Sequence, residues 1–284
     1  MLENMKNMLI KADNGKYAVP HFNINNLEWT RFILEECEKL KTPVIIGVSE
    51  GAGKYMGGFK TVADMVKNLV NYLNITIPVA LHLDHGSSYE SCVEAIDSGF
   101  TSVMIDASKY SIEENIRITK QVVDYAHKRN VTVEAEIGAV GGEEDGVANE
   151  LAYAKVEDAT RLVEETGIDF LAPALGSVHG IYKGEPKLDF TRMIKIHELV
   201  NLPLVLHGGS GIPDELIKKA ISCGICKINI NTELQIAWSK DVRKFLNEND
   251  KVYDPRKIIK SGENSMKEMI KEKVMLFGSN DKHN

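Results

Sequence analysis

Three histidines stand where short apolar runs end. The run Ile77 to Leu83 stops at Asp84, His85 and Gly86; Asp169–Pro173 is followed by Gly176-Ser177-Val178-His179-Gly180; Pro203–Leu206 is followed by His207. Apolar strands that deliver polar side chains at their C-terminal tips are where α/β proteins keep their chemistry. Three neutral imidazoles with an open fourth position form a catalytic zinc arrangement, so His85, His179 and His207 are the expected ligands. Their sequence spacing is wide, and only a shared rim can bring them together. Of the other histidines, His82 sits within a strand as a core residue, His127 and His197 lie on helices, His283 is in the tail and His21 is ambiguous. Asp84, beside His85, is placed to move a proton. An ideal strand would point these neighbours to opposite faces, so the strand must end or twist there, which Gly86 permits. Asp106, Glu134 and Glu136 occupy further strand ends.

A second cluster suits an anion. Gly208-Gly209-Ser210-Gly211 follows the same run as His207 and opens a helix at Pro213, and Asn229-Ile230-Asn231-Thr232 follows the last strand. Small residues let backbone N–H groups approach a phosphate, and a helix N-terminus favours negative charge. In barrels, phosphate sites recur after strands seven and eight. Metal beside phosphate, with carboxylates around, suggests carbanion chemistry on a phosphorylated carbonyl compound. The rival is a Schiff base on Lys227, which needs a lowered pKa and an inward orientation.

The elements that must position these residues follow from hydrophobic periodicity. Strands are expected at Tyr17–Phe22, Pro43–Val48, Pro78–Leu83, Thr101–Ile105, Val131–Ile137, Asp169–Pro173, Pro203–Leu206 and Ile225–Ile230. Helical spacing fills the intervals, with Ser111 as an N-cap and stops at Gly99 and Gly167. The strands are nearly continuous hydrophobics, as in parallel sheets covered on both faces. Eight βα units in 284 residues make a single-domain (β/α)8 TIM barrel spanning 1–284, with a doubly wound open sheet as runner-up. The stretch Gly138–Ala154 is expected to be free of regular elements, a long mobile loop after strand five of the kind used as a lid.

Composition sets bounds. With 43% hydrophobic and 26% charged residues the chain is globular, and its net charge of -7 argues against a nucleic-acid surface. No stretch reaches transmembrane length and Met1-Leu2-Glu3 does not begin a signal peptide, so a cytoplasmic protein without membrane partners is expected. Cys223 and Cys226 have CxxC spacing, but with no second such pair they are expected to be small buried residues.

Taken together, Phe22-Asn23, Val48-Ser49-Glu50-Gly51, Leu83-Asp84-His85-Gly86, Val103–Asp106, Glu134–Gly138, Gly141-Gly142-Glu143-Glu144-Asp145, Gly176–Gly180, His207–Gly211 and Asn229–Thr232 resemble the class II, zinc-dependent fructose-bisphosphate aldolases and the similar tagatose-bisphosphate aldolases, over nearly the whole chain. The resemblance implies reversible cleavage of fructose 1,6-bisphosphate to dihydroxyacetone phosphate and glyceraldehyde 3-phosphate, a step of glycolysis and gluconeogenesis. It implies zinc on His85, His179 and His207, and proton exchange between Asp84 and the C4 hydroxyl. Asp106 and Glu136 match a second, inward divalent-metal position. Glu144 matches a loop carboxylate that protonates or deprotonates the dihydroxyacetone phosphate carbon. Gly180, Gly208, Gly209, Ser210 and Asn229, Ile230, Asn231, Thr232 match ketose-phosphate contacts, and the Gly180 and Gly208 carbonyls match a monovalent cation (Na+ or K+) site. Arg256 matches an arginine reaching the distal phosphate in a neighbouring subunit, with Ser49 assisting, and a homodimer or homotetramer follows; Asn23, at the same rim, is expected to contact substrate. Some members carry Asp where Asn231 stands, which places the chain with the shorter branch.

Other readings remain at this point. A tagatose 1,6-bisphosphate aldolase, or another ketose-phosphate aldolase, differs in C4 stereochemistry, which residue types do not reveal. A metal-dependent hydrolase would want an HxH pair after strand one, where only His21 stands. A non-catalytic sugar-phosphate-binding subunit should have lost zinc ligands or the lid acid, and this chain keeps the set.

Overall fold

The computed structural model describes residues 2–144, 147–180, 182 and 184–283, without the side chains at 143, 144 and 147–149. Its strands are β1 (Val19–Asn23), β2 (Val44–Ser49), β3 (Val79–Gly86), β4 (Ser102–Ile105), β5 (Thr132–Ile137), β6 (Gly141–Glu144), β7 (Val147–Asn149), β8 (Phe170–Pro173), β9 (Val178–His179), β10 (Leu204–Leu206) and β11 (Ile225–Ile230). Eight of them close a parallel barrel in the order β1-β11-β10-β8-β5-β4-β3-β2, with helices on the outside. This is the expected TIM barrel, and the open-sheet alternative falls away because β1 pairs with both β2 and β11.

Alternation sorts each strand's side chains between two environments. Outward residues such as Val44, Leu81, Val103, Val133, Leu171 and Ile228 are fully buried under the helices in the main apolar core. Inward residues fill the barrel in tiers. The lowest tier is apolar and includes Val19, Ile45, Ala80, Phe170 and Val205. It is sealed from below by Met5, Met8, Leu9 and Ala12 around the helix Lys6–Gly15, which the sequence reading did not register. Above it lies a fully buried polar tier of His21, His82, Glu134 and Lys227. Gly47 makes that tier possible: a Cβ there would stand 1.7 Å from Nε2 of His21.

Local signals placed several boundaries well. Ser111 caps its helix by accepting from Glu114 N at 3.3 Å, although the Glu114 carboxylate turns to Arg117 instead of closing a reciprocal box. Helices end at Gly99 and Gly167.

Two expectations are corrected. Gly138–Ala154 is not free of regular elements: β6 and β7 form an antiparallel hairpin, and β6 pairs in parallel with β9, so that Gly142 lies opposite His179. Glycine richness there reflects close packing, since a Cβ on Gly142 would meet the His179 carbonyl oxygen at 2.2 Å. The second correction concerns β3. The strand's alternation is broken at His85 itself, which adopts a left-handed backbone (φ 51°), with the register against β4 shifting between Leu83 and Gly86. Gly86 serves a different need: its Cβ would press within 2.7 Å of the Met104 carbonyl oxygen. Left-handed backbone on a non-glycine residue costs about 1–2 kcal/mol, and here it turns the imidazole onto the rim beside Asp84.

Cys223 belongs to the outer core and Cys226 to the inner one, so the CxxC residues occupy different environments as free, buried thiols.

Candidate active site

The barrel brings His85, His179 and His207 together from β3, β9 and the end of β10. Their ring centroids are 4.6 Å (85–207), 5.1 Å (85–179) and 5.9 Å (179–207) apart. Burial, and then the neighbouring His85, lower the pKa of both His179 and His207, so these imidazoles are neutral, as metal ligands must be.

Two carboxylates fix the tautomers. Oδ2 of Asp106 is 2.9 Å from Nδ1 of His85, and Oε1 of Glu134 is 2.8 Å from Nε2 of His207. Burial opposes ionisation of each acid. For Asp106 the hydrogen bond and charge of His85 together with the Ser108 donors outweigh it, and for Glu134 Lys227, His207 and His82 together do, so both stay well below the usual carboxylate range. An ionised carboxylate only accepts. His85 therefore donates through Nδ1 and His207 through Nε2. The remaining nitrogens, Nε2 of His85 and Nδ1 of His207, then face each other 2.8 Å apart with their lone pairs inward. Two acceptors at that separation repel unless a cation stands with them. The donor set thus fits a zinc ion, with His179 supplying a third nitrogen within 4.8 Å of the other two.

A second acid set adjoins the first. Ligand atoms of His85, Asp106 and Glu136 also lie within 4.8 Å of one another. Glu136 is buried, its Oε1 accepts from Val140 N at 3.2 Å, and its Oε2 has no hydrogen-bond partner among the described residues. Burial, and then Asp106, push its carboxyl up to about 8.

Asp84 is fully buried and held by amides. Asn23 donates to its Oδ2 at 2.8 Å and Asn229 to its Oδ1 at 3.2 Å, while His21 Nε2 stands 3.5 Å away. Burial disfavours the charge, but His21, His85, His207 and Lys227 together prevail, and the carboxyl titrates well below its ordinary value. Asp84 is a desolvated carboxylate beside the imidazole cluster, suited to accepting a proton in place.

The glycine turn lies beside this cluster. Gly208 has φ 64°, and a Cβ there would approach the Val178 carbonyl oxygen to 2.3 Å. Gly209 N donates to Asn229 O at 3.1 Å, tying the turn to the end of β11. Ser210 is nearly buried and Ile230 fully so, which limits Ile230 to backbone contacts. Asn231 does not cap the helix beginning at Thr232, and its Oδ1 has no hydrogen-bond partner among the described residues. A helix N-terminus that its own N-cap residue leaves unsatisfied suits an anion.

The remaining expected site residues are placed as follows. The Asn23 amide is committed to Asp84. Ser49 caps the short helix Glu50–Tyr55 by accepting from Ala52 N at 3.2 Å. Arg256 lies on the helix Pro255–Lys260, largely exposed and bonded to Asp254, and its described contacts do not include the rim. Gly180 follows β9 with φ 83°. Glu144 ends β6, two residues beyond Gly142, and its side chain lies outside the described residues, as do Asp145 and Gly146.

The structure gives three residues roles that the sequence alone does not assign: Glu134, a strand-end acid there, Lys227, a Schiff-base candidate there, and Tyr182. Glu134 orients His207, and the only advance signal was its i,i+2 relation to Glu136, which puts both acids inside the barrel. Lys227 is fully buried with Nζ 2.9 Å from Glu134, so its ammonium is the counter-charge of that acid. Tyr182 accepts from Val178 N at 3.0 Å and donates to Gly208 O at 2.9 Å, which fastens the His179 segment to the glycine turn.

Comparison with known proteins agrees with this architecture. The family described as class-II fructose-bisphosphate aldolase matches residues 3–282. The chain belongs to the class II fructose-bisphosphate aldolase family. It is 61% identical to the fructose-bisphosphate aldolase of Geobacillus stearothermophilus, over 99% of this chain and 98% of that one. It is 58% identical to that of Staphylococcus epidermidis, over 99% of each. Among solved structures, the YdjI aldolase from Escherichia coli K12 superposes with a TM-score of 0.87 at 37% identity, covering 100% of both chains. The fructose-bisphosphate aldolase from Campylobacter jejuni superposes at 0.84 with 26% identity, covering 99% of this chain and 95% of that one. Class II aldolases are therefore its relatives in both sequence and fold.

Proposed function

We propose that the protein is a zinc-dependent aldolase that reversibly cleaves fructose 1,6-bisphosphate to dihydroxyacetone phosphate and glyceraldehyde 3-phosphate, serving glycolysis and gluconeogenesis in the cytoplasm. The observation that carries the reading is the convergence of ring nitrogens of His85, His179 and His207 beside the buried Asp84 carboxylate. Zinc bound to the three histidines supplies a Lewis acid that polarises the ketose C2 carbonyl. Asp84 accepts the C4 hydroxyl proton; the C4–O bond becomes a carbonyl, the C3–C4 bond breaks and its electron pair passes to C3. Glu144 then delivers a proton to C3. The glycine turn Gly208–Ser210, Gly180 and the Asn229–Thr232 segment seat the ketose phosphate through backbone N–H groups, and the Ser210 hydroxyl adds a donor. Asp106 and Glu136 offer a second divalent position with His85. The carbonyls of Gly180 and Gly208 offer one for a monovalent cation. Arg256, exposed in the single chain, reaches a neighbour's distal phosphate in a homodimer or homotetramer, with Ser49 near that end.

The test compares cleavage of fructose and tagatose 1,6-bisphosphates before and after chelation. Fructose bisphosphate should be the faster substrate, activity should vanish with the metal and return with zinc. Substrate trapped on Lys227 by borohydride would overturn the metal mechanism. Glu144→Ala should slow turnover while sparing zinc content.

A further inference from the structure

An ion pair behind the glycine turn has no part in the scheme above. Lys273, on the C-terminal helix Glu263–Phe277, is nearly buried, and its Nζ lies 2.8 Å and 2.7 Å from the two carboxylate oxygens of Glu233. Lysine is seldom so buried unless paired, and holding its long side chain costs rotamer entropy. Its partner is 40 residues away in sequence, in the first turn of the helix Thr232–Glu248.

Glu233 connects directly to the turn. Its backbone N–H donates to Oγ of Ser210 at 3.4 Å. The Ser210 oxygen is thereby used as an acceptor, and its own proton is left to donate to a ligand. The Glu233 carboxylate has the opposite effect. In the first helical turn it complements the helix dipole, and it competes there with any second anion. Without compensation, a fixed negative charge would stand behind the turn that is to hold a phosphate.

We propose that Lys273 is a positioning residue for the substrate phosphate. It clamps the Glu233 carboxylate against the C-terminal helix and cancels its charge, so that the N-terminus at Thr232 and the Ser210 hydroxyl stay available to a dianion. This rests on the reading of Gly208–Ser210 and Asn229–Thr232 as the phosphate seat.

The experiment uses the full-length, zinc-loaded enzyme, with KM for fructose 1,6-bisphosphate and the inhibition constant of inorganic phosphate as readouts. Lys273→Met should weaken both by about tenfold, with kcat within about threefold and zinc content unchanged, because the exposed charge acts on the bound anion and not on the reacting carbons. Lys273→Arg should stay close to wild type. The double variant Lys273→Met/Glu233→Gln should recover most of the loss, which a merely structural role for Lys273 would not allow. Glu233→Gln alone, with the lysine kept, should bind inorganic phosphate about twofold tighter or better, and this arm stands even if Lys273→Met fails to fold. Unchanged phosphate inhibition in Lys273→Met, no recovery in the double variant, or weaker phosphate binding in Glu233→Gln would each overturn the proposal. Ser210→Ala separates the two readings. If it leaves phosphate inhibition untouched, the seat itself is misplaced; if it weakens inhibition while the Lys273 variants do not, only the role of Lys273 is lost.

Discussion

Oε1 of Glu134 lies 2.8 Å from Nε2 of His207, in the interior of the barrel and one tier below the rim. The contact links the buried polar tier to the nitrogens proposed to hold zinc. Because Glu134 is ionised against Lys227, it can only accept, and His207 must present Nδ1 to the rim. Carboxylates that orient metal-bound imidazoles typically contribute 10–100-fold in metal affinity. Glu134→Gln keeps the volume and removes the charge. Its zinc affinity, measured by competition with a chelator, should fall by about 10–100-fold, with the barrel still folded by circular dichroism. Unaltered affinity would show that packing alone sets the His207 ring.

Asn23 was expected at the rim as a substrate contact, but its amide donates to Asp84. Asn23→Ala should therefore act on the proton-transfer step. We expect kcat to fall by about 10–100-fold, less than the full 10²–10⁴ range of general acid–base catalysis, since Asn229 still holds the other oxygen. KM should change little and zinc content not at all. A rise in KM with constant kcat would return Asn23 to the substrate.

Gly47 leaves space for His21, which a Cβ would meet at 1.7 Å. Gly47→Ala should destabilise the protein by about 1–3 kcal/mol, the usual cost of overpacking. The second-site change His21→Ala removes the obstructing ring and should recover part of the midpoint temperature. An additive loss in the double variant would contradict the steric account.

Away from the site, Glu38 provides a pH-dependent clasp. Its carboxylate accepts from Thr76 N at 2.7 Å, Thr76 Oγ1 at 2.7 Å and Ile77 N at 3.2 Å, and it pairs with Lys41. Partial burial works against the charge, but Lys41 and these donors hold the carboxyl down to about 2. A depressed carboxylate stabilises the folded state above its unfolded value, near 4.5, and the contribution fades as pH falls toward 2. Glu38→Gln should thus cost about 1–2 kcal/mol at pH 7. The gap between wild-type and variant midpoint temperatures should close as pH drops from about 5 to about 2. A gap independent of pH would assign the clasp to shape.

The eight strand segments were legible because each is a short apolar run bounded by turn residues, and parallel strands covered on both faces must be continuous hydrophobics. The closure of the barrel then followed from strand number and right-handed crossovers. His85, His179, His207 and Asp84 stood out for the same reason: polar residues at the C-terminal ends of such strands share one rim. The family was legible too, in motifs such as Gly176–Gly180 and His207–Gly211.

Other features depended on contacts between residues far apart in the chain. The hairpin β6–β7 exists because β6 pairs with β9, and a glycine-rich segment has no periodicity that announces such a partner. The left-handed turn falls on His85, while Gly86 is needed because Met104 leaves no room for a Cβ, and local propensity registers neither. The tautomers of His85 and His207, the commitment of Asn23 to Asp84, the pairing of Lys227 with Glu134 and the clamp of Lys273 on Glu233 are likewise tertiary facts. Sequence alone determined which chemical groups reach the rim, since strand ends and alternation are local properties. Their charge and proton positions were decided only by the folded barrel, because desolvation and hydrogen bonding depend on what is packed against each group.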